Sequence, residues 1–343
     1  MSDTSWTRDL FKIAPGRVSI TVAARVAAAT GIPLFAGLAA GHVVAGVIGA
    51  ACGLLVTMAD IGTTRAERVG SMSATALAMV VGGTIGAKFG GTTYADEAIV
   101  LGAAAIAGWV SGSHPAIAAV ARFSAIATAA GAVLQFVDPI VAMLALVGGA
   151  FAILVAFVVW WLTGVPAADN VMDWRAGLRA ALAGEHAGPQ FAIVYAIACA
   201  LALFAAGQLG VARPYWATIT VMMVTRREGL VSLELVIHYM LGTLAGILAA
   251  AAIEWAVRLP ALLALCATAS AACARLGLAL NPGLGYTAFT VFFLLAIDLA
   301  VQGAGLDAHM LSARFYDVAV GCAIALAGTL VTRFLSRRPA AAA

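Results

Sequence analysis

The sequence predicts an all-α polytopic membrane protein of about 12 transmembrane helices, arranged as two parallel six-helix repeats. Three observations predict it. Of 343 residues, 63% are hydrophobic and only 10% are charged, against roughly 25% charged in soluble domains. The mean hydropathy is +1.03. The apolar residues run unbroken, as over Ile140–Leu162, where a membrane barrel would show short alternating strands. Only helices and closed barrels satisfy their backbones in lipid, so helices are expected. So few charges cannot cover a soluble globule, which excludes a soluble enzyme, a nucleic-acid binder and a disordered chain.

A spanning helix needs about 20 apolar residues. Six fall near 18–38, 42–60, 70–88, 97–112, 115–134 and 139–163, and six more near 190–210, 212–225, 235–256, 260–277, 283–302 and 314–335. Alanine and glycine weaken the individual signals, so ten spans is the alternative. Polar residues Met1–Arg17 precede the first span, which reads as an uncleaved helix rather than a removed signal peptide. The segments are then a cytoplasmic N-terminal stretch 1–17, a first repeat 18–163, a cytoplasmic linker 164–189, a second repeat 190–335 and a tail 336–343. In the linker, Asn170 is a helix cap with Asp173 in the first turn. Trp174, Leu178 and Leu182 then recur every four residues beside Arg175 and Arg179. This is the pattern of an amphipathic helix on the inner leaflet, or of a plain linker helix.

Orientation follows from Lys and Arg. With the N-terminus cytoplasmic, thirteen of the nineteen, from Arg8 to Arg338, fall inside; Lys88, Arg213, Arg258 and Arg314 fall outside, and Arg25 and Arg122 lie within spans. Both termini are therefore expected inside, with an even number of spans. The 17 arginines against two lysines read as codon bias. The five cysteines all lie in apolar stretches and read as buried free thiols.

The two halves share landmarks. Gln135-Phe136-Val137-Asp138 aligns with Arg314-Phe315-Tyr316-Asp317, each read as opening the last helix of its half. His114-Pro115 aligns with Asn281-Pro282, Gly62 with Gly229, and Ala74-Thr75 with Gly242-Thr243. Six spans per half give both halves the same orientation, a parallel repeat of the kind transporters use.

The second half carries three motifs in order. Arg213-Pro214-Tyr215-Trp216-Ala217-Thr218-Ile219-Thr220-Val221 is followed by Leu241-Gly242-Thr243-Leu244-Ala245-Gly246, and then by Arg314, Asp317 and Gly321. Over about 210–335 this resembles the fusaric acid resistance and aromatic acid exporter family, with its PYWA-x-x-T, R-x-x-GT-x-x-G and R-x-x-D-x-x-x-G segments. Two features depart from the family pattern. Tyr239, beside His238, stands where the family has arginine before the Gly-Thr. The large soluble domain of bigger members is replaced by 164–189 alone. The resemblance implies an inner-membrane transporter exporting small organic acids, aromatic carboxylic acids above all, driven by the proton gradient. A passive organic-anion channel and a scaffold in a larger efflux complex are the alternatives.

Ionisable groups within spans are costly and mark candidate sites. Arg25 and Arg122 either snorkel to the headgroups or hold a substrate carboxylate by a forked contact. Arg314 and Asp317 share a helix face, as a local ion pair or as an anion-binding gate released by protonation. Asp298 sits deep in its span, and His238 has a side chain suited to proton coupling. Asp138 lacks an arginine partner and is expected near a helix N-terminus. Asp60, beside Arg65 and Arg68, is expected at the interface. Tyr215 and Trp216 on a short Pro-started segment either stack on an aromatic substrate or form an interfacial belt. Gly242 with Gly246, and Gly49 with Gly53, are read as helix packing.

Substrate-binding candidates are thus Arg25, Arg122, Tyr215, Trp216 and Arg314; proton-coupling candidates are Asp298, Asp317, His238 and Asp138. No metal-ligand spacing, phosphate loop or catalytic triad is present, so neither a cofactor nor an enzyme activity is expected. The expected partners are a small organic anion and the lipid bilayer, and no nucleic acid. A homo-oligomer and a periplasmic adaptor both stay open.

Overall fold

The computed structural model describes residues 12–13, 19–135, 138–165, 173–184, 188–211, 213–227, 229–301 and 308–336. Every regular element among them is a helix. The first six are α1 (Ile20–Ala39), α2 (Val43–Met58), α3 (Arg65–Phe89), α4 (Thr93–Trp109), α5 (Pro115–Leu134) and α6 (Pro139–Thr163). A short α7 (Trp174–Leu182) follows. The rest are α8 (Gly188–Gln208), α9 (Tyr215–Val224), α10 (Gly229–Ala256), α11 (Pro260–Leu280), α12 (Pro282–Ala300) and α13 (Ala308–Ser336).

Among the described residues, nine of these helices are long and apolar enough to cross a membrane. Three expected spans fall short: α2 has 16 residues, α4 has 17 and α9 has 10. At 1.5 Å per residue α9 rises only about 15 Å, half a hydrocarbon core.

Local chemistry sets the helix ends. Thr64 accepts from the Glu67 N–H at 3.2 Å, and a Glu67 carboxylate oxygen accepts from the Thr64 N–H at 3.2 Å. This reciprocal capping box starts α3 at Arg65, five residues before the hydropathy signal rises. His114 caps α5 through Nδ1, which accepts from the Ala116 N–H, and Asn281 caps α12 by accepting from the Gly283 N–H. In both, proline occupies the first helical position, where no N–H is missed. The α7 cap is Asp173, which accepts from the Arg175 N–H at 2.9 Å, rather than the expected Asn170, which lies outside the described residues.

The aligned tetrapeptides differ in local structure. Gln135 is the left-handed cap ending α5 (φ 54°), and Asp138 caps α6 by accepting from the Ile140 N–H at 2.8 Å. Asp317 instead lies nine residues inside α13, because that helix begins at Ala308.

The chain forms two compact units. The first gathers Met1–Met58, Leu144–Val165 and Ile237–Phe315. In it α1 packs on α2, α2 on α12, α12 on α11, and α11 back on α1, closing a ring of four. The second gathers Ala59–Met143, Pro166–Val236 and Tyr316–Ala343. Its ring runs α8, α9, α5, α4 and back to α8, with α3 laid on α5.

Glycines bring the helices close. A methyl group on Gly246 would meet the Thr287 carbonyl oxygen at 2.7 Å, and one on Gly242 the Gly283 carbonyl oxygen at 2.6 Å, which sets α10 against α12. In the second unit Gly82 meets the Ser124 carbonyl oxygen in the same way, at 2.6 Å, and Gly86 meets that of Thr128. Gly49 and Gly53 lie against Gly148 and Ala29. These are the backbone approaches that small residues permit.

All five cysteines are free, as expected, but only Cys199 and Cys322 are buried; Cys273 is exposed, because it lies on the outer face of α11.

Candidate functional site

In the first unit, α1 carries Arg25 into the interior, where it is 1% exposed. Its guanidinium carbon lies 5.4 Å from the ring centroid of Trp160, a buried residue of α6. The cation therefore rests on an aromatic face and does not snorkel to the headgroups. Asp298 on α12 is 1% exposed, and Arg314, six residues into α13, is buried as well. His238 on α10 is buried against Gly283, the second residue of α12.

Next to it, Tyr239 packs its ring on Tyr286 at 4.6 Å between centroids. The Tyr239 hydroxyl and the Thr243 hydroxyl one turn on are both buried without a hydrogen-bond partner. Thr243 differs here from Thr75, whose hydroxyl donates to the Ser71 carbonyl at 2.8 Å.

In the second unit, the short helix α9 is buried over most of its length. Tyr215 and Trp216 meet edge to face at 6.0 Å and are buried, so they form no interfacial belt. The cause is the crowding of α9 by its neighbours. Thr218 donates to the Cys199 carbonyl of α8 at 3.1 Å, the Tyr195 hydroxyl donates to the Met222 carbonyl at 3.2 Å, and Gly321 of α13 abuts Ala217 and Thr220. Arg213 caps this end, its guanidinium 5.3 Å from the Trp216 ring.

The other end of α9 gathers charge. Tyr195 is the focus: its hydroxyl, bonded to the Met222 carbonyl, lies within reach of the charges of Arg122 of α5 and Arg226. Arg226 also donates from Nη1 to the Thr225 carbonyl at 2.9 Å. The Thr225 hydroxyl is buried and without a partner. Ser232 of α10 closes the turn, accepting from the Arg226 N–H at 2.7 Å and donating to the Arg226 carbonyl at 2.9 Å. Ser71 secures the turn after α2 in a similar manner, donating to the Ala59 carbonyl at 2.6 Å.

That turn holds a charge pair. Arg68 donates to Asp60 at 3.1 Å, and both side chains are buried, so Asp60 at the end of its helix is paired within the protein.

Asp317 is fully buried on α13 in this unit. Asp138 is exposed and engaged in capping α6. The units thus separate the candidates: Arg25, His238, Asp298 and Arg314 fall in one, and Arg122, Tyr215, Trp216, Asp138 and Asp317 in the other.

Sequence reasoning missed Tyr195 and Arg226 as site residues. The one looks like a polar guest in an apolar run, and the other was counted only for orientation. Their convergence depends on how α8 and α9 pack. No group of three or more His, Cys, Asp or Glu among the described residues is placed to hold a metal.

Among the described residues every regular element is a helix and nine are apolar and of spanning length, which makes this a multi-pass membrane protein. Its residues 175–328 match a family model described as fusaric acid resistance protein-like, a family of membrane transport and efflux. The match covers the three motifs from Arg213 through Gly321. No curated protein and no solved structure matches the chain.

Proposed function

We propose that the chain is a secondary transporter that exports small organic acids, aromatic carboxylic acids above all, driven by the proton gradient. It would reside in a bacterial inner membrane with both termini cytoplasmic. The observation that carries the reading is that the charges of Arg122 and Arg226 both act on the buried Tyr195 side chain, at the end of the short helix α9. Two forked cations near a buried phenol suit a carboxylate, and the neighbouring apolar wall of α9 suits a ring. The ten-residue length of α9 supports a site here, since short Pro-started segments in transporters end at binding sites.

The coupling proton is assigned to Asp298 and Asp317, carboxylates buried in the interiors of their units, where protonation removes a costly charge. Asp138, as an exposed helix cap, is left out of the proton path. The twelve helices are read as two six-helix repeats. The ring in each unit supports this, because each joins helices one, two, four and five of a half-chain count.

Vesicles loaded with an imposed pH gradient test the proposal. Uphill movement of benzoate is the expected result. Arg122→Gln should weaken benzoate binding about tenfold or more, the loss of one charge-assisted contact. Asp298→Asn or Asp317→Asn should stop uphill movement and leave downhill exchange intact. Flux that only ever runs down its gradient would make the chain a passive channel.

A further inference from the structure

The second unit contains a cavity of about 930 Å³ far from α9 in the chain order. Its walls are α3, with Ala74 and Val81, and α4, with Ala103 and Ile106; α5 forms its floor at Ala121. Apart from a few hydroxyls its body is apolar. Val81 and Ile106 are 57% and 65% exposed, so the rims open sideways. The polar groups gather at one end, where Glu67, Ser71 and His114 lie, and each is already engaged with backbone.

That end is roofed by α7. Trp109 of α4 donates from its indole nitrogen to the Ala181 carbonyl at 2.7 Å, and Gly177 sits against His114. Three stripes run round the helix at 100° per residue. Gly177 and Ala181 face the protein and are buried. Trp174 and Leu178 come next and line the cavity. Arg175 and Arg179 come after them and are exposed, with Arg175 lying 5.5 Å from the Trp174 ring centroid. The helix therefore turns smoothly from protein contact, to apolar cavity, to cation.

We propose that this cavity is a binding site for an anionic phospholipid. One acyl chain lies between α3 and α4 on the floor of α5, and the headgroup phosphate, with no choline cation beside it to oppose them, is held by Arg175 and Arg179. The complementarity is one of shape and charge together: a long apolar slot open to the side, closed by a helix that presents two arginines beside its mouth. The Glu67 carboxylate near the mouth is committed to the Thr63 and Thr64 N–H groups at 2.7 and 3.2 Å. The site is separate from the carboxylate site at Tyr195, so either can fail without the other.

The full chain, purified in detergent and stripped of lipid, is incubated with palmitoyl-oleoyl phosphatidylglycerol or phosphatidylcholine and read by native mass spectrometry. Wild type should retain phosphatidylglycerol with a preference of roughly thirtyfold, as two arginines near a charged surface give. The double variant Arg175→Gln/Arg179→Gln, altered only at exposed positions, should lose that preference. Ala121→Trp, which fills the floor, should abolish retention of both lipids. Ala74→Phe fills the slot from the opposite wall and serves if Ala121→Trp does not fold. Equal retention of the two lipids by wild type overturns the proposal, as does an unchanged preference in the arginine variant. Displacement of phosphatidylglycerol by benzoate would also overturn it, making the cavity a site for the transported acid.

Discussion

Replacing Arg68 by methionine should be among the most damaging single changes to the described interior. The side chain pairs with Asp60 at 3.1 Å, and the two side chains are 8% and 3% exposed. Methionine keeps much of the volume and removes the charge, leaving Asp60 with its principal cation gone. Stripping one partner from a buried pair costs about 3–5 kcal/mol. Replacing both partners by apolar residues is often close to neutral. Arg68→Met alone should therefore lower unfolding stability by about 3–5 kcal/mol, and Asp60→Leu alone by a similar amount. The double variant should recover to within about 1 kcal/mol of wild type, so the two losses are strongly non-additive. Reversible unfolding in detergent–dodecyl sulfate mixtures, followed by tryptophan fluorescence, reads all four corners of the cycle. If the single change costs under about 1 kcal/mol, the pair behaves as a solvated one and the reasoning fails. If the double variant is as unstable as the two losses added, the residues act independently and the reasoning fails again.

Two further outcomes test the fold. Thr64→Ala removes one arm of the capping box that starts α3, and should cost about 1 kcal/mol in the same unfolding measurement; Thr64→Ser should restore it. Gly246→Leu drives a side chain into the Thr287 carbonyl, 2.7 Å from the first added carbon. It should destabilise by about 1–3 kcal/mol or more, whereas Gly207→Leu, where nothing lies within 4 Å, should change little in either unfolding or expression.

Much of this architecture is legible in the residues. The long apolar helices α6 and α8 declare themselves by composition, and the His-Pro and Asn-Pro pairs mark the starts of α5 and α12 because a cap and a proline have local causes. The start of α3 was less visible: its first turn is polar, and hydropathy cannot see a helix begun by a hydrogen-bonded box. Asp60 and Arg68 are eight positions apart across a turn, so their pairing depends on the turn's path and not on helical periodicity. Tyr195 and Arg122 lie on helices far apart in the chain, and only packing brings them together. The candidate carboxylates Asp298 and Asp317 were found by a rule that needs no partner, namely that charge in an apolar run is expensive.

Each unit draws its ring from both halves of the chain, with consequences for synthesis. The first segment of the first unit ends at Met58, and its partner helices α11 and α12 run from Pro260 to Ala300, about 200 to 240 residues later. At about 5–20 residues per second, α1 and α2 wait roughly twelve to fifty seconds before α11 and α12 are complete. During that interval Arg25 can already rest on Trp160 of α6, but Gly31 of α1 has no Thr268 of α11 against it. Nascent α1 and α2 thus stay an incomplete ring, with α6 as their earliest partner, until α11 and α12 close it.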